Sequence, residues 1–175
     1  MYEIRLHSRG GQGGVTAAKI LAHAAFLDKK YATATPLYGA ERRGAPVVSF
    51  IRIDDKPIKV YSQVRNPDLV IVLDPGIMNM VDVLQGIKAG GEVLINSPQK
   101  PDMGGHKVYN IDLTGIALSL DLVVAGNPIL NTPLLGALAK FGLVSRDSVR
   151  EAIFETFSDE RNATAAIKAY EELVI

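Results

Sequence analysis

A glycine-rich loop near the start of the chain places the strongest constraint on the fold. Residues 10–14, Gly-Gly-Gln-Gly-Gly, hold four glycines in five positions. Residues 2–7 before the loop alternate as a strand does, and the alanine-rich residues 15–29 after it are typical of a helix. A glycine turn at the start of a helix exposes backbone N–H groups, which favour an anion such as phosphate. Two alternatives stay open: a partner's backbone, or a tight turn that lets the helix pack close to the sheet.

Strand-like segments recur along the first part of the chain. They are short and apolar or alternating, and they lie at residues 31–35, 47–54, 58–62, 69–73, 92–96 and 107–111. Pro36 is predicted to end the first of these strands. The Asp54–Pro57 turn predicts that residues 47–54 and 58–62 pair as an antiparallel hairpin. Residues 107–111 are predicted to be the last strand.

Helix-like segments lie between and after these strands. A helix is predicted over residues 77–87, and the chain becomes helical after Asp112, with Thr132 and Ser145 as N-caps. The predicted fold class is therefore α/β: a three-layer sandwich with a mostly parallel sheet, an antiparallel hairpin and a helical C-terminal part. A length of 175 residues predicts a single domain spanning residues 1–175.

Composition excludes several classes of function. The 19 basic and 19 acidic residues give no net charge, which argues against nucleic-acid binding. The absence of cysteine removes thiolate nucleophiles, disulfides and thiolate-ligated iron–sulfur clusters from this chain. Three scattered histidines, at positions 7, 23 and 106, show no metal-binding spacing, so we expect no metal site. No apolar run approaches the roughly 20 residues that span a bilayer, and we expect a cytoplasmic protein without membrane contact.

The glycine loop does not match the two common nucleotide motifs. A P-loop closes with Gly-Lys-Ser/Thr, but the first lysine after this loop is Lys19, too far along the helix. A dinucleotide fingerprint requires a third glycine where Thr16 stands, and an acid where residues 33–35 read Thr-Ala-Thr. The pattern therefore argues against a free-standing nucleotide-binding enzyme.

The sequence shows binding candidates and no catalytic set. It contains no Gly-x-Ser-x-Gly motif and no histidine and carboxylate at a readable spacing. Arg42 and Arg43 lie on a glycine- and proline-bounded loop, where they bind an anionic group or are simply solvated. Asp74, at the end of an apolar strand, is either functional or a helix N-cap. We therefore expect no catalytic residue in this chain.

Three segments together resemble a known family. They are residues 9–19 (Arg-Gly-Gly-Gln-Gly-Gly-Val-Thr-Ala-Ala-Lys), 38–46 (Tyr-Gly-Ala-Glu-Arg-Arg-Gly-Ala-Pro) and 131–137 (Asn-Thr-Pro-Leu-Leu-Gly-Ala). They resemble the gamma subunit of 2-oxoacid:ferredoxin oxidoreductases of the pyruvate, 2-ketoisovalerate and 2-oxoglutarate type. That family oxidatively decarboxylates a 2-oxoacid to an acyl-CoA and passes electrons to ferredoxin.

The resemblance implies a hetero-oligomeric oxidoreductase in which this chain holds no cofactor of its own. Thiamine diphosphate and iron–sulfur clusters would reside in partner subunits of the alpha, beta and delta type, and ferredoxin would be an indirect partner. The gamma subunit would help to present coenzyme A and would be inactive alone. Ser8 is a departure, since the family often has glycine there, and it leaves a close backbone approach at that position open.

The resemblance also implies which residues form the site. The cofactor-binding candidates are Arg9, Gly10, Gly11, Gln12, Gly13 and Thr16 on the first loop, and Arg42 and Arg43 on the second. The first set would face coenzyme A or a partner subunit. The alternative is a purely structural subunit whose glycine loop contacts only protein.

Overall fold

A six-stranded sheet forms the centre of the molecule. The computed structural model describes residues 1–38 and 44–175. Within those ranges the sheet has the strand order β2-β3-β1-β4-β5-β6. The strands are β1 (Tyr2–Arg9), β2 (Tyr31–Tyr38), β3 (Pro46–Asp54), β4 (Leu69–Val72), β5 (Glu92–Asn96) and β6 (Lys107–Ile111).

Strand directions confirm a mostly parallel sheet with an antiparallel pair. β1, β4, β5 and β6 pair in parallel, whereas β3 is antiparallel to both of its neighbours, β1 and β2. β2 therefore runs in the same direction as β1, and β3 is inserted between them. The run Leu69–Val72 is buried along its whole length, as expected of a central parallel strand.

One face of the sheet is covered by α-helices. Within the described residues these are α1 (Gly14–Leu27), α2 (Leu113–Ser119), α3 (Asn131–Lys140), α4 (Arg146–Thr156) and α5 (Arg161–Glu172). Residues from all five helices share one apolar cluster with Ile4, Leu6 and Ile51 of the sheet. At α4 the predicted cap is confirmed, because Ser145 Oγ accepts a hydrogen bond from Ser148 N at 3.1 Å.

The opposite face carries a smaller apolar cluster. Val70, Val72, Val93 and Ile95 on this face pack against Ile77. Ile77 belongs to a 3-10 helix, Pro75–Asn79, which together with irregular segments forms the third layer. The α/β sandwich predicted from the sequence is thus confirmed, with helices of unequal regularity on its two faces. None of the helices in the described residues is long and apolar enough to cross a membrane.

The predicted hairpin was wrong in its second strand. Residues 58–62 form no strand, and β3 instead pairs with β2. Arg52 Nη1 donates to Ser62 O at 2.7 Å, so a side chain rather than a strand ladder holds this segment. Pro36 does not end β2, which continues to Tyr38. Proline is tolerated there because β2 is an edge strand.

The helix predicted over residues 77–87 was also wrong beyond its first turn. Arg5 Nη2 donates to Val83 O at 2.8 Å and to Gln85 O at 2.6 Å, which engages carbonyls that a helix would use. Two further predictions fail in the last part of the chain. Residues 107–111 are not the last strand, because two strands of two residues each, β7 (Val123–Val124) and β8 (Asn127–Pro128), pair after β6. Thr132 is not the N-cap of α3, because that helix begins at Asn131.

Candidate functional site

The glycine loop lies where the sheet changes its direction of winding. The chain leaves β1 toward β2 on one side, and it leaves β4 toward β5 on the other. The loop after β1 and the turn after β4, Asp74–Gly76, therefore face each other across the carboxyl ends of adjacent strands. Open α/β sheets bind their ligands at such a switch point.

Backbone geometry explains the glycines that start α1. Gly13 precedes the helix with φ 84°, a left-handed conformation that favours glycine, and none of the described side chains caps the helix. A Cβ at Gly13 would lie 3.1 Å from Asn131 Cβ, and one at Gly14 would lie 2.3 Å from Ser8 Oγ. Asn131 and Ser8 therefore occupy the space that side chains at positions 13 and 14 would need, and α1 begins without a side-chain cap among the described residues.

Ser8, where the family that the sequence resembles often has glycine, belongs to β1 and not to the loop. Its side chain is buried, and its hydroxyl donates to Val47 O at 3.5 Å. The hydroxyl also occupies the space beside Gly14. Ser8 therefore supports close packing of α1 on the sheet, and it does not face the loop's outer surface.

The second segment of the family resemblance, residues 38–46, is joined to the first, residues 9–19, by backbone hydrogen bonds. Gly10 N donates to Ala45 O at 3.0 Å, and Gly44 N donates to Gly10 O at 3.3 Å. These bonds continue the β1–β3 ladder into the two loops. Arg42 and Arg43 lie outside the described residues, but their chain neighbour Gly44 is held directly against the glycine loop.

The third segment of the family resemblance, residues 131–137, begins α3 and lies against the glycine loop there. Leu130 N donates to Gln12 O at 3.3 Å, and Asn131 packs against Gly13. Further along α3, a Cβ at Gly136 would lie only 1.8 Å from Ala166 O on α5. One end of this segment therefore shapes the loop, while Gly136 permits two helices to cross closely.

Asp74 connects the parts of the site. Its Oδ2 accepts from Arg9 Nε at 2.7 Å and from Gln12 Nε2 at 3.3 Å, and its Oδ1 accepts from Gly76 N at 2.8 Å. The last contact bears out the N-cap alternative for Asp74, and the first two join the same carboxylate to the glycine loop. Arg9 Nη1 also donates to Gly44 O at 3.1 Å. Asp74 was absent from the set of site residues derived from the sequence, although its place after an apolar strand was the available signal.

The described part of the site offers hydrogen-bond donors but little net charge. The guanidinium of Arg9 is paired with Asp74. Thr16 lies half-buried in the first turn of α1. His7, two residues before Arg9, is buried, and burial together with Arg5 lowers its pKa to about 4, so it is neutral at pH 7. Within the described ranges, no three His, Asp or Glu residues are grouped to hold a metal ion.

The glycine loop, residues 44 and 45, and the start of α3 thus meet at one switch point of an α/β sheet, and this brings together parts of all three segments that carry the family resemblance. The family model described as pyruvate ferredoxin/flavodoxin oxidoreductase matches residues 3–172. The chain belongs to this family, which confirms the resemblance.

Curated relatives and a solved structure carry the same family's names. The chain is 54% identical to pyruvate synthase subunit PorC of Methanothermobacter thermautotrophicus, over 99% of this chain and 96% of the relative. It is 50% identical to the pyruvate/ketoisovalerate oxidoreductases common subunit gamma of Thermococcus kodakarensis, over 100% and 98%. The crystal structure of pyruvate oxidoreductase subunit PORC from Thermotoga maritima matches with a TM-score of 0.83 and 33% identity, over 99% and 97%. The prediction of an oxidoreductase subunit of the gamma type is confirmed at this level.

Proposed function

We propose that this chain is the gamma subunit of a complex that oxidatively decarboxylates a 2-oxoacid to an acyl-CoA and reduces ferredoxin, and that its glycine loop contributes to coenzyme A binding. The observation that supports the coenzyme role is the convergence of three distant segments. Gly10 bonds to Ala45, and Gln12 bonds to Leu130, at the uncapped start of α1. Segments far apart in sequence are held together at the place where α/β folds bind ligands.

The chemistry of the loop suits the phosphate groups of coenzyme A. Backbone N–H groups at a helix N-terminus bind phosphate without a dedicated side chain. Because Arg9 is already paired with Asp74, the positive charge that a polyphosphate requires would come from elsewhere. Arg42 and Arg43 adjoin Gly44, whose backbone is bonded to Gly10. In this proposal the glycine loop supplies neutral donors and the two arginines supply charge.

The remaining cofactors belong to other subunits in this proposal. The chain has no cysteine to hold a thiolate-ligated cluster. Thiamine diphosphate, the iron–sulfur clusters and contact with ferredoxin are therefore assigned to alpha-, beta- and delta-type partners. The chain's contribution is to bind, orient and assemble, and the isolated chain is expected to show no turnover.

The test is the double variant Arg42→Ala/Arg43→Ala in the assembled complex. We expect the KM for coenzyme A to rise about tenfold or more, since a charge-assisted hydrogen bond contributes about 1.5–3 kcal/mol. The KM for the 2-oxoacid should not change. The matched control is Arg146→Ala/Arg150→Ala, which removes two arginines from α4 in the helical layer.

A second function is supported by the surroundings of the loop. Met80, next to Arg9 with an Nη1 to Sδ distance of 3.8 Å, is exposed, and so is Val81. Apolar side chains beside a loop whose charged group is paired suit contact with protein. If the loop contacts only a partner subunit, the double arginine variant will keep its KM for coenzyme A and instead lose subunits on gel filtration.

A further inference from the structure

Asp74 is the point at which the glycine loop is fastened to the neighbouring strand. The carboxylate follows β4, and it accepts from Arg9 Nε, at the end of β1, at 2.7 Å and from Gln12 Nε2, in the glycine loop, at 3.3 Å. Gln12 Oε1 in turn accepts from Arg9 N at 2.8 Å. The three residues thus form a closed hydrogen-bonded ring, and Gly76 N holds the other carboxylate oxygen at 2.8 Å.

The loop keeps its conformation through hydrogen bonds of both its backbone and its side chains. Gly11 and Gly13 both adopt positive φ, at 95° and 84°, and neither has a side chain to pack. A flexible glycine backbone pays a large entropy cost when it is ordered. Within the described residues, the side chains of Arg9 and Gln12 tie the loop to Asp74, while backbone bonds tie it to Ala45 and Leu130.

We infer that Asp74 is a positioning residue, which holds Arg9 and Gln12 so that the glycine loop presents its N–H groups to the coenzyme. The inference rests on the proposed function for its ligand. It also assigns Arg9 a different use from direct anion binding, because the guanidinium spans from Asp74 to Gly44 O, at 3.1 Å from its Nη1. Arg9 then joins the first and second loops and does not reach outward for phosphate.

An asparagine cannot replace this carboxylate. Arg9, Gln12 and Gly76 all donate to Asp74, so both of its oxygens act as acceptors. An amide has one oxygen and one NH₂ group, and the NH₂ group would face either the loop side chains or Gly76 N as donor against donor. Depending on its orientation, the amide of Asp74→Asn therefore loses one or two of these three contacts with almost no change in volume, whereas Asp74→Glu keeps both acceptors.

The experiment measures amide hydrogen exchange and steady-state kinetics on the assembled complex. Without coenzyme A, exchange in a peptide covering residues 9–14 should be about tenfold faster in Asp74→Asn than in the unmodified protein. The KM for coenzyme A should rise about tenfold, while kcat at saturating coenzyme stays within about twofold and the KM for the 2-oxoacid is unchanged. Asp74→Glu should recover part of both effects.

Asp112→Asn is the matched control. Asp112 also follows a parallel strand at the same edge of the sheet, and its Oδ1 accepts from Gly115 N at 2.8 Å, away from the glycine loop. The Asp112→Asn variant should leave amide exchange in residues 9–14 and the KM for coenzyme A unchanged. A purely structural role for Asp74 would instead speed exchange in β5 as well, and lower the yield of complex.

The outcomes separate the inference from the proposed function. Unchanged loop exchange in Asp74→Asn overturns the inference, whatever the kinetics show. Faster loop exchange with an unchanged KM supports the positioning of the loop by Asp74 and contradicts the coenzyme role of that loop. Protection of residues 9–14 by added coenzyme A in the unmodified complex supports the proposed function independently of Asp74.

Discussion

The two faces of the sheet are stabilised in different ways. On the helical face, Ile4 and Leu6 of β1 are fully buried in an apolar cluster that all five described α-helices share. On the opposite face of the same strand, Arg5 and His7 are buried instead, at 8% and 5% exposure. Apolar packing is sufficient for helices because a helix satisfies its own backbone groups.

Irregular segments need donors for their carbonyl groups, and buried arginines supply them. Arg5 binds the carbonyls of Val83 and Gln85, and Arg52 binds the carbonyl of Ser62 at 2.7 Å while its Nε pairs with Glu3 at 2.9 Å. The two faces of β1 therefore differ in what packs against them. The apolar side chains pack against helices, whereas Arg5 hydrogen-bonds to an irregular segment and Arg9 binds Asp74 at the candidate site.

The largest effect should come from breaking the helical face at Gly136. Gly136→Val places side-chain atoms against the backbone of Ala166, where even a Cβ would lie 1.8 Å from the carbonyl oxygen. Because backbone atoms cannot move aside as a flexible side chain can, α3 and α5 must separate. We expect a loss of about 3–4 kcal/mol in the free energy of unfolding, at or slightly above the usual upper end for overpacking.

Urea unfolding at pH 7 measures this loss. Lys19→Ala, at an exposed position of α1, is the control and should stay within about 0.5 kcal/mol of the unmodified protein. A similarly small change in Gly136→Val would mean that the helices do not cross as closely as described.

A smaller effect should follow from titrating the charged face. Burial and the neighbouring Arg5 lower the pKa of His7 to about 4 in the folded chain. In the unfolded chain this histidine takes up a proton below about pH 6.5. The unfolded state therefore binds more protons between these values, and stability falls as the pH drops from 6.5 to 4. The expected loss is about 3 kcal/mol.

Comparison with His7→Phe isolates this contribution from the carboxylates that also titrate in acid. The free energy of unfolding of the variant, measured in urea between pH 7 and pH 4, should fall by less than that of the unmodified protein. Equal slopes for His7→Phe and the unmodified protein would contradict a neutral buried His7.

The smallest of the three effects should come from Arg5→Met. Methionine keeps much of the side chain's volume but leaves the carbonyls of Val83 and Gln85 without their donor, which costs about 2 kcal/mol. It also removes a positive charge that lowers the pKa of His7, so the acid dependence should become shallower. Chemical unfolding at pH 7 and pH 5 tests both parts.

Arg161→Met is the matched control for this change. Arg161 Nη1 also lies near two carbonyl oxygens, Leu120 O at 3.4 Å and Asp121 O at 3.0 Å, but its side chain is exposed. Water can replace those bonds, so Arg161→Met should change stability less than Arg5→Met. The reverse order would show that burial does not decide the strength of these contacts.

Much of the fold could be predicted because its signals are local. The alternation before Gly10 and the alanines after Gly14 predicted β1 and α1, and the apolar run at residues 69–73 predicted a central strand. Residues 58–62 alternate in the same way, yet Arg52 holds them as an irregular segment. Local pattern could not distinguish these cases, because the deciding contact comes from a side chain on another strand.

The candidate site likewise has some features that local sequence predicts and others that depend on tertiary contacts. The sequence by itself determined the glycine loop between a strand and a helix, the lack of thiolate ligands and, through three short segments, the family. Tertiary structure alone decided that Gly10 meets Ala45, that Gln12 meets Leu130, and that Asp74 holds Arg9. Arg9 and Asp74 are 65 residues apart, so their pairing depends on β1 and β4 becoming neighbours, which no local propensity specifies.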